Sequence, residues 1–344
     1  MRDLVGEARR ASGAPAMGAA LVAADGSARV ATDGVRVRGR DAPVTDADPW
    51  HIGSCTKAMT ALLYARFVEA GRAAWGTPLP DLFPDLAVAP GWEAVTIDDL
   101  LVHRGGVRPN LSVRAMRDDA ADVRPVRVRR SEAAAAALAG PPDRPGRVRY
   151  SNLGYMVAGA AIERIADASW EDALDAEVLA PLGIAGAGVG APPGNAPWGH
   201  RALVGGRWRG PPADPSRPEV ADNPPVMGPA GRVHLPLAEW ARFVAQFLDG
   251  GATLVGEASV ARLLARPDGP GQPQAMGWVH ADARAERLLG TAVSLGQQGS
   301  NRRWVATALL SSDRRRAALA VANDGRSRAL TATARLAAGV LADA

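Results

Sequence analysis

Cysteine occurs once in these 344 residues, at Cys55, which excludes an internal disulfide framework and any all-cysteine metal site. Lysine is as scarce: of 40 lysines and arginines, Lys57 is the one lysine and the other 39 are arginine. Aromatic residues make up only 5%, and tyrosine is confined to Tyr64, Tyr150 and Tyr155. No apolar run reaches the roughly 18 residues that a membrane helix needs, so no membrane span is expected. The five histidines (His51, His103, His200, His234, His280) show no H-E-x-x-H or comparable spacing, and neither a metal nor another cofactor is expected. Apolar residues, by contrast, are plentiful at 47%, enough for a sizeable core and incompatible with global disorder. The length fits one large or two modest domains.

The formal net charge of +4 arises from arginine clusters at Arg124 to Arg130, Arg302 and Arg303, and Arg314 to Arg316. No nucleic-acid-binding motif accompanies them and 36 acidic residues are interspersed, so a solvated surface is expected and no nucleic-acid partner. Arg9 and Arg10 before the small-residue stretch Ala14 to Ala24 imitate a secretory leader. Asp3 and Glu7 in the would-be cationic region, and Pro15 and Gly18 in the apolar one, argue against it. A cytoplasmic location is expected, and nothing in the pattern specifies an oligomeric state.

Ala19 to Ala23, a turn at Ala24-Asp25-Gly26, and Ala28 to Thr32 form the pattern of a first hairpin. A helix is expected from near Ser54, with Met59, Leu62, Leu63 and Phe67 at helical spacing and Gly71 marking its end. A helix-rich middle follows at 98–102, 131–139, 153–166 and 170–179, then a helix at 237–248. Strands are expected at 276–281, 286–295, 304–310 and 317–323, the last two joined by a turn at Ser312 to Arg315, and a final helix at 327–341. Strands at both ends with helices between imply an α/β (α+β) chain: an antiparallel sheet flanked by helices on both faces, with an inserted, mostly helical domain. The boundaries expected are 1–74 and 225–344 for the sheet domain and 75–224 for the insertion, with the site between them.

Arginine stays protonated at any working pH, whereas a buried lysine can give up its proton and act as a base, so the lone Lys57 is a candidate for chemistry. It stands three residues after Ser54, and i and i+3 share a helix face. A serine hydroxyl needs a neighbour to take its proton, and a desolvated amine can do so. Backbone N–H groups at the helix start favour developing negative charge. The competing reading is a capping serine with a surface lysine; only 14 serines occur, which makes chance spacing a poor explanation. Tyr150-Ser151-Asn152 is a second element: the phenol could shuttle protons and Asn152 could hold a substrate carbonyl, or the tyrosine could be structural. Cys55 points away from Ser54 on a helix and is read as packing. The absence of G-x-S-x-G argues against an α/β-hydrolase.

Ser54-x-x-Lys57 followed by Tyr150-Ser151-Asn152 resembles the serine β-lactamase-related family, which includes class C β-lactamases, DD-peptidases, D-aminopeptidases, esterases and acyltransferases. Thr96 to Gly105, Pro145-Gly146, Pro181-Leu182-Gly183, Pro229-Ala230-Gly231 and Met276-Gly277-Trp278 extend the likeness over roughly residues 14 to 340. It implies Ser54 as acylated nucleophile, Lys57 as its proton acceptor and Tyr150 as the acid–base group serving leaving group and water. The N–H groups of Ser54 and Ser300 would form the oxyanion hole, and Gly299 would let backbone approach the acyl group. Gln297 stands where the family has a lysine or histidine; Arg302 or Arg303 could compensate. That departure favours a neutral carboxylic ester or small amide or D-peptide over a β-lactam, in a serine hydrolase or acyltransferase with a small-molecule substrate. β-Lactamase or DD-peptidase activity, and a non-catalytic ligand-binding homologue, are the alternatives.

Overall fold

The computed structural model describes residues 1–202, 211–268 and 274–343. Among them nine strands run in chain order: β1 (Ala16–Ala23), β2 (Ala28–Gly34), β3 (Pro49–His51), β4 (Gly188–Val189), β5 (Val233–Pro236), β6 (Val279–His280), β7 (Val293–Ser300), β8 (Val305–Ser311) and β9 (Arg316–Ala322). Six form one antiparallel sheet in the order β2-β1-β9-β8-β7-β6, and β3, β5 and β4 form a small second one.

The central strands are apolar on both faces, which is why they read as nearly continuous apolar runs rather than as alternating ones. Met17, Ala19, Ala318, Ala320, Ala322, Val305 and Leu309 face one layer, made by the helices Arg2–Ser12 and Ser327–Ala342. Ala16, Ala20, Val22, Ala317, Leu319, Val321, Ala306 and Leu310 face the other. On that side lie the helix Leu237–Ala245 and the large cluster that continues through the helix Thr56–Glu69 into Val126–Leu138, Asn152–Ala166 and Trp170–Leu174. Leu319 and Val321 are fully buried, each worth about 1.5–3 kcal/mol.

The Thr56–Glu69 helix has almost no polar face because it is enclosed on every side; Thr56 to Ala65 and Phe67 are all buried. Its two buried hydroxyls are satisfied across segments: Thr60 Oγ1 donates to the Pro229 carbonyl at 2.7 Å, and Thr56 Oγ1 accepts from the Val233 N–H at 3.1 Å.

The expected mixed architecture is present, with the first hairpin and the β8–β9 turn where they were placed. Two strand expectations fail. Residues 286–289 belong to the helix Ala283–Leu289, capped by Asp282, whose side chain accepts from the Ala285 N–H, and ended by Gly290 at φ 72°. Asp and Gly at those positions are helix punctuation, and they outweigh the apolar alternation. The 276–281 segment contributes only the two residues of β6. No helix among the described residues is long and apolar enough to cross a membrane.

Candidate active site

β3 ends at His51, and the chain turns through Gly53, at φ 53°, into the helical turn Gly53–Cys55 that opens the Thr56–Glu69 helix. Ser54 is thereby held at a helix start with the positive end of the peptide dipoles beneath it. Lys57, one turn on, is 2% exposed and aims its amine back at the serine. Its Nζ lies 3.2 Å from Ser54 Oγ and donates to Asn152 Oδ1 at 2.8 Å and, in a short contact, to the Ala230 carbonyl. Among the described residues Lys57 pairs with no carboxylate.

Tyr150 arrives from the other side, its Oη donating to Ser54 Oγ at 2.7 Å. The phenol is half-exposed and reaches over the cleft mouth, with Lys57 Nζ 4.8 Å from its ring centre. Two residues build its seat. Ser151 caps the Asn152–Ala166 helix, accepting from the Gly154 N–H at 2.8 Å and donating to the Arg108 carbonyl at 2.6 Å. His103, buried and in the left-handed region at φ 61°, packs its ring 4.3 Å from that of Tyr150 and accepts the Ser151 N–H on Nδ1. Burial, reinforced by the Lys57 charge, pushes His103 down to about 3, so its ring stays neutral at ordinary pH. Burial likewise pushes the Cys55 thiol well above its usual range, in keeping with a packing role.

The edge of β7 forms the remaining wall. A Cβ on Gly299 would stand 1.9 Å from the Ile52 carbonyl oxygen and 2.8 Å from the Ser54 nitrogen; one on Gly53 would stand 2.6 Å from the Ser300 nitrogen. Both glycines are thus required for the turn bearing Ser54 to lie directly on the strand bearing Ser300. Gly299 was expected to let backbone approach the acyl group; its missing side chain also admits the nucleophile's own turn. β6 pairs with β7 only at Leu295 and Gly296, so the strand edge beyond is uncovered among the described residues.

Gln297 sits on that strand, 5% exposed, and neither its amide oxygen nor its amide nitrogen has a hydrogen-bond partner. It lines a cleft of about 50 Å³ together with Ser54, Lys57, His103 and Tyr150. With Tyr150 it also lines an adjoining cavity of about 570 Å³, whose walls include Leu288, Leu289, Leu309 and Leu330. Arg303 does not supply the missing cation: its guanidinium is engaged by the carbonyls of Asn301 and Val220. Arg302 lines neither cavity.

The family model Beta-lactamase matches residues 1–342. The chain belongs to the beta-lactamase family. Penicillin-binding protein 4 of Amycolatopsis lactamdurans is 32% identical over 241 residues, 68% of this chain and 60% of that protein; the chain thus spans less than two thirds of that relative. Among solved structures, D-amino acid amidase from Ochrobactrum anthropi SV3, complexed with L-phenylalanine, superposes with a TM-score of 0.78 at 19% identity, over 99% of this chain and 97% of that one. A class C beta lactamase from Rhodobacter sphaeroides gives 0.76 at 20% identity, over 98% of each chain.

For this beta-lactamase family member the structure brings Ser54, Lys57, Tyr150, Asn152, Gln297, Gly299 and Ser300 to one place. Asn152, expected to hold a substrate carbonyl or amide, also meets two protein groups: Oδ1 takes the Lys57 amine and Nδ2 donates to Asn110 Oδ1 at 2.8 Å. Its oxygen thus helps hold the lysine. The Ala230 carbonyl, the third group holding Lys57, carries no side-chain signature. Only the small-residue run Pro229-Ala230-Gly231 hints that a backbone must come so close.

Proposed function

We propose that the chain is a serine hydrolase working through an acyl-enzyme on Ser54. The observation that carries this reading is that one hydroxyl lies within hydrogen-bond reach of two proton-transfer groups, Lys57 Nζ and Tyr150 Oη. Ser54 Oγ attacks the substrate carbonyl carbon while Lys57 takes the hydroxyl proton. The carbonyl oxygen gains a negative charge opposite the N–H groups of Ser54 and Ser300, each such donor being worth about 10²–10³ in rate. Tyr150 hands a proton to the departing alkoxide or amine, then removes one from the water that cleaves the acyl-enzyme. Each of these transfers contributes typically ~10²–10⁴-fold. The cleft lies between the sheet part, 1–74 and 225–344, and the helical insertion, 75–224.

The substrate class favoured is a neutral carboxylic ester or small amide. An uncharged amide, Gln297, stands where a carboxylate-binding cation would, and the walls of the adjoining cavity are more apolar than polar, leucine, valine and alanine among them, suited to an apolar acyl or leaving group. A second reading, a D-peptide or β-lactam as carbonyl donor, draws support from the likeness to a penicillin-binding protein and to a D-amino acid amidase. The test is incubation with p-nitrophenyl acetate and with a fluorophosphonate, followed by intact-mass spectrometry. An adduct on the native chain that Ser54→Ala abolishes, together with its turnover, supports the acyl-enzyme. Absence of both makes the chain a non-catalytic binder.

A further inference from the structure

Behind the turn that carries Ser54 lies a closed polar cluster that the proposed chemistry does not touch. At its centre is Asp222, whose side chain has no solvent exposure. Its Oδ2 accepts from His51 Nε2 at 3.1 Å and from Arg232 Nε at 3.2 Å, and its Oδ1 accepts from Asn301 Nδ2 at 2.8 Å. Each partner begins or ends a segment of the site. His51 precedes Ser54 by three residues, and its Nδ1 accepts the Gly53 N–H at 3.1 Å. That bond leaves the ring proton on Nε2, where it is donated to Asp222. Asn301 follows Ser300, and its Oδ1 accepts the N–H groups of Arg303 and Trp304 at 3.1 and 3.0 Å, fixing the turn out of β7. Arg232 follows the Ala230-Gly231 pair whose first carbonyl takes the Lys57 amine. Trp304 closes the cluster, its ring stacked 5.4 Å from that of His51 at 21°.

Isolated burial of a carboxylate is costly, and pairing it with several charged or polar donors is the usual remedy. Burial alone would raise the Asp222 carboxyl, but the His51 ring, Arg232 and Asn301 hold it below the usual carboxylate range. It therefore stays an acceptor toward all three segments at once.

We infer that Asp222 is the positioning residue of the oxyanion hole: one carboxylate ties the Ser54 turn, through His51 and Gly53, to the Ser300 end of β7, through Asn301, and so sets the spacing of the two N–H donors. The inference rests on the acyl-enzyme reading above. It gives a reason for a left-handed Gly53 held by a histidine, and for an aspartate 168 residues downstream of Ser54 in sequence, both buried beyond reach of any substrate.

The test is Asp222→Asn, which keeps size and shape but presents an N–H toward His51, Arg232 or Asn301, all of them donors. Either its carbonyl serves His51 and Arg232 and its amide opposes Asn301 Nδ2, or its amide faces His51, which then loses its partner or moves its proton to Nδ1, where it opposes the Gly53 N–H; each arrangement breaks the tie on one side. Because oxyanion donors act on the transition state rather than the bound ester, kcat falls by about 10²–10³ with KM little changed. Affinity for a tetrahedral boronic acid falls in parallel. His51→Gln is the second variant, keeping a donor toward Asp222 while leaving the Gly53 N–H without its acceptor; it lowers kcat in the same way and carries the test should Asp222→Asn fail to fold. The double variant loses no more than the deeper single one, since both break the same tie. Wild-type kcat per titrated active site in Asp222→Asn, or additive losses in the double variant, overturns the assignment. If instead Ser54→Ala retains turnover, it is the acyl-enzyme reading that falls.

Discussion

Replacing Gln297 by methionine tests whether this residue serves the ligand or the fold. Its two amide atoms are buried with no partner, and an unsatisfied buried polar group costs about 1–3 kcal/mol. The adjoining cavity lets water relieve part of that cost, so the lower end applies to the pair. Methionine is unbranched, close in length and free of that desolvation demand, and Gln297 lies beside space whose walls are more apolar than polar. Gln297→Met therefore stabilises the chain by about 1–2 kcal/mol, contrary to the usual direction for a buried substitution. The same change removes an uncharged hydrogen-bonding side chain that lines the cleft. A hydrogen bond of about 0.5–1.5 kcal/mol to the substrate is then lost, a two- to twelve-fold drop in kcat/KM. Urea unfolding at pH 7 and hydrolysis of a p-nitrophenyl ester, on the same preparations, read the two effects. A variant less stable than the parent by more than 1 kcal/mol, or one with undiminished kcat/KM, refutes the argument that this amide waits for a ligand.

Lys57→Arg keeps the charge but removes the group able to accept a proton, and it forces a longer, planar head among Ser54, Asn152 and Ala230; fluorophosphonate labelling should fall by at least ~10² while far-ultraviolet circular dichroism stays native, and retained labelling removes Lys57 from the mechanism. Tyr150→Phe loses the 2.7 Å contact to Ser54 but little packing, so kcat should drop about 10²–10⁴-fold with an unchanged melting temperature; equal activity in stopped-flow assays would exclude an acid–base role. Gly299→Ala drives a methyl into the Ile52 carbonyl and the Ser54 amide, so acylation should be lost before the fold is; active-site titration of folded protein decides this. Buried His103 and His200 and part-buried His234 are held down to about 3, 4 and 4, below the ordinary 6.5. Above pH 6.5 they are neutral folded or unfolded; below it the unfolded chain binds protons that the folded chain refuses. Stability should therefore fall from pH 6.5 toward 4, and His103→Asn, tolerated at a left-handed position, should flatten the urea-midpoint profile there.

The parts of this site that lie close along the chain were readable in it. Ser54 and Lys57 share a helix face because of a three-residue spacing, and Tyr150 with Asn152 straddles a serine cap, so local geometry alone brought them into consideration. The hairpins were legible for the same reason: β1–β2 and β8–β9 are joined by short polar turns. What was not legible depends on long-range closure. Asp222 meets His51 across 171 residues and Asn301 across 79, and an isolated aspartate carries no pattern that announces two such partners. Asn152 was read from its chemistry as a ligand for substrate, and only the fold shows that its amide also meets Lys57 and Asn110. The Ala283–Leu289 helix was lost because its last four residues were read into the strand expected at 286–295, and its capping aspartate and terminal glycine were passed over. The two glycines at the nucleophile turn make a related point: Gly299 was singled out, but the surface that demands it belongs to Ile52 and Ser54, which lie on a different segment.

The single sulfhydryl of the chain is walled in beside the nucleophile, without solvent contact and with its ionisation suppressed by burial. Maleimides and iodoacetamides accordingly have no native target on the folded molecule. A cysteine placed by mutation at any exposed position becomes the sole reactive thiol, and fluorophores or spin labels can be mounted at the cleft rim without first stripping the background.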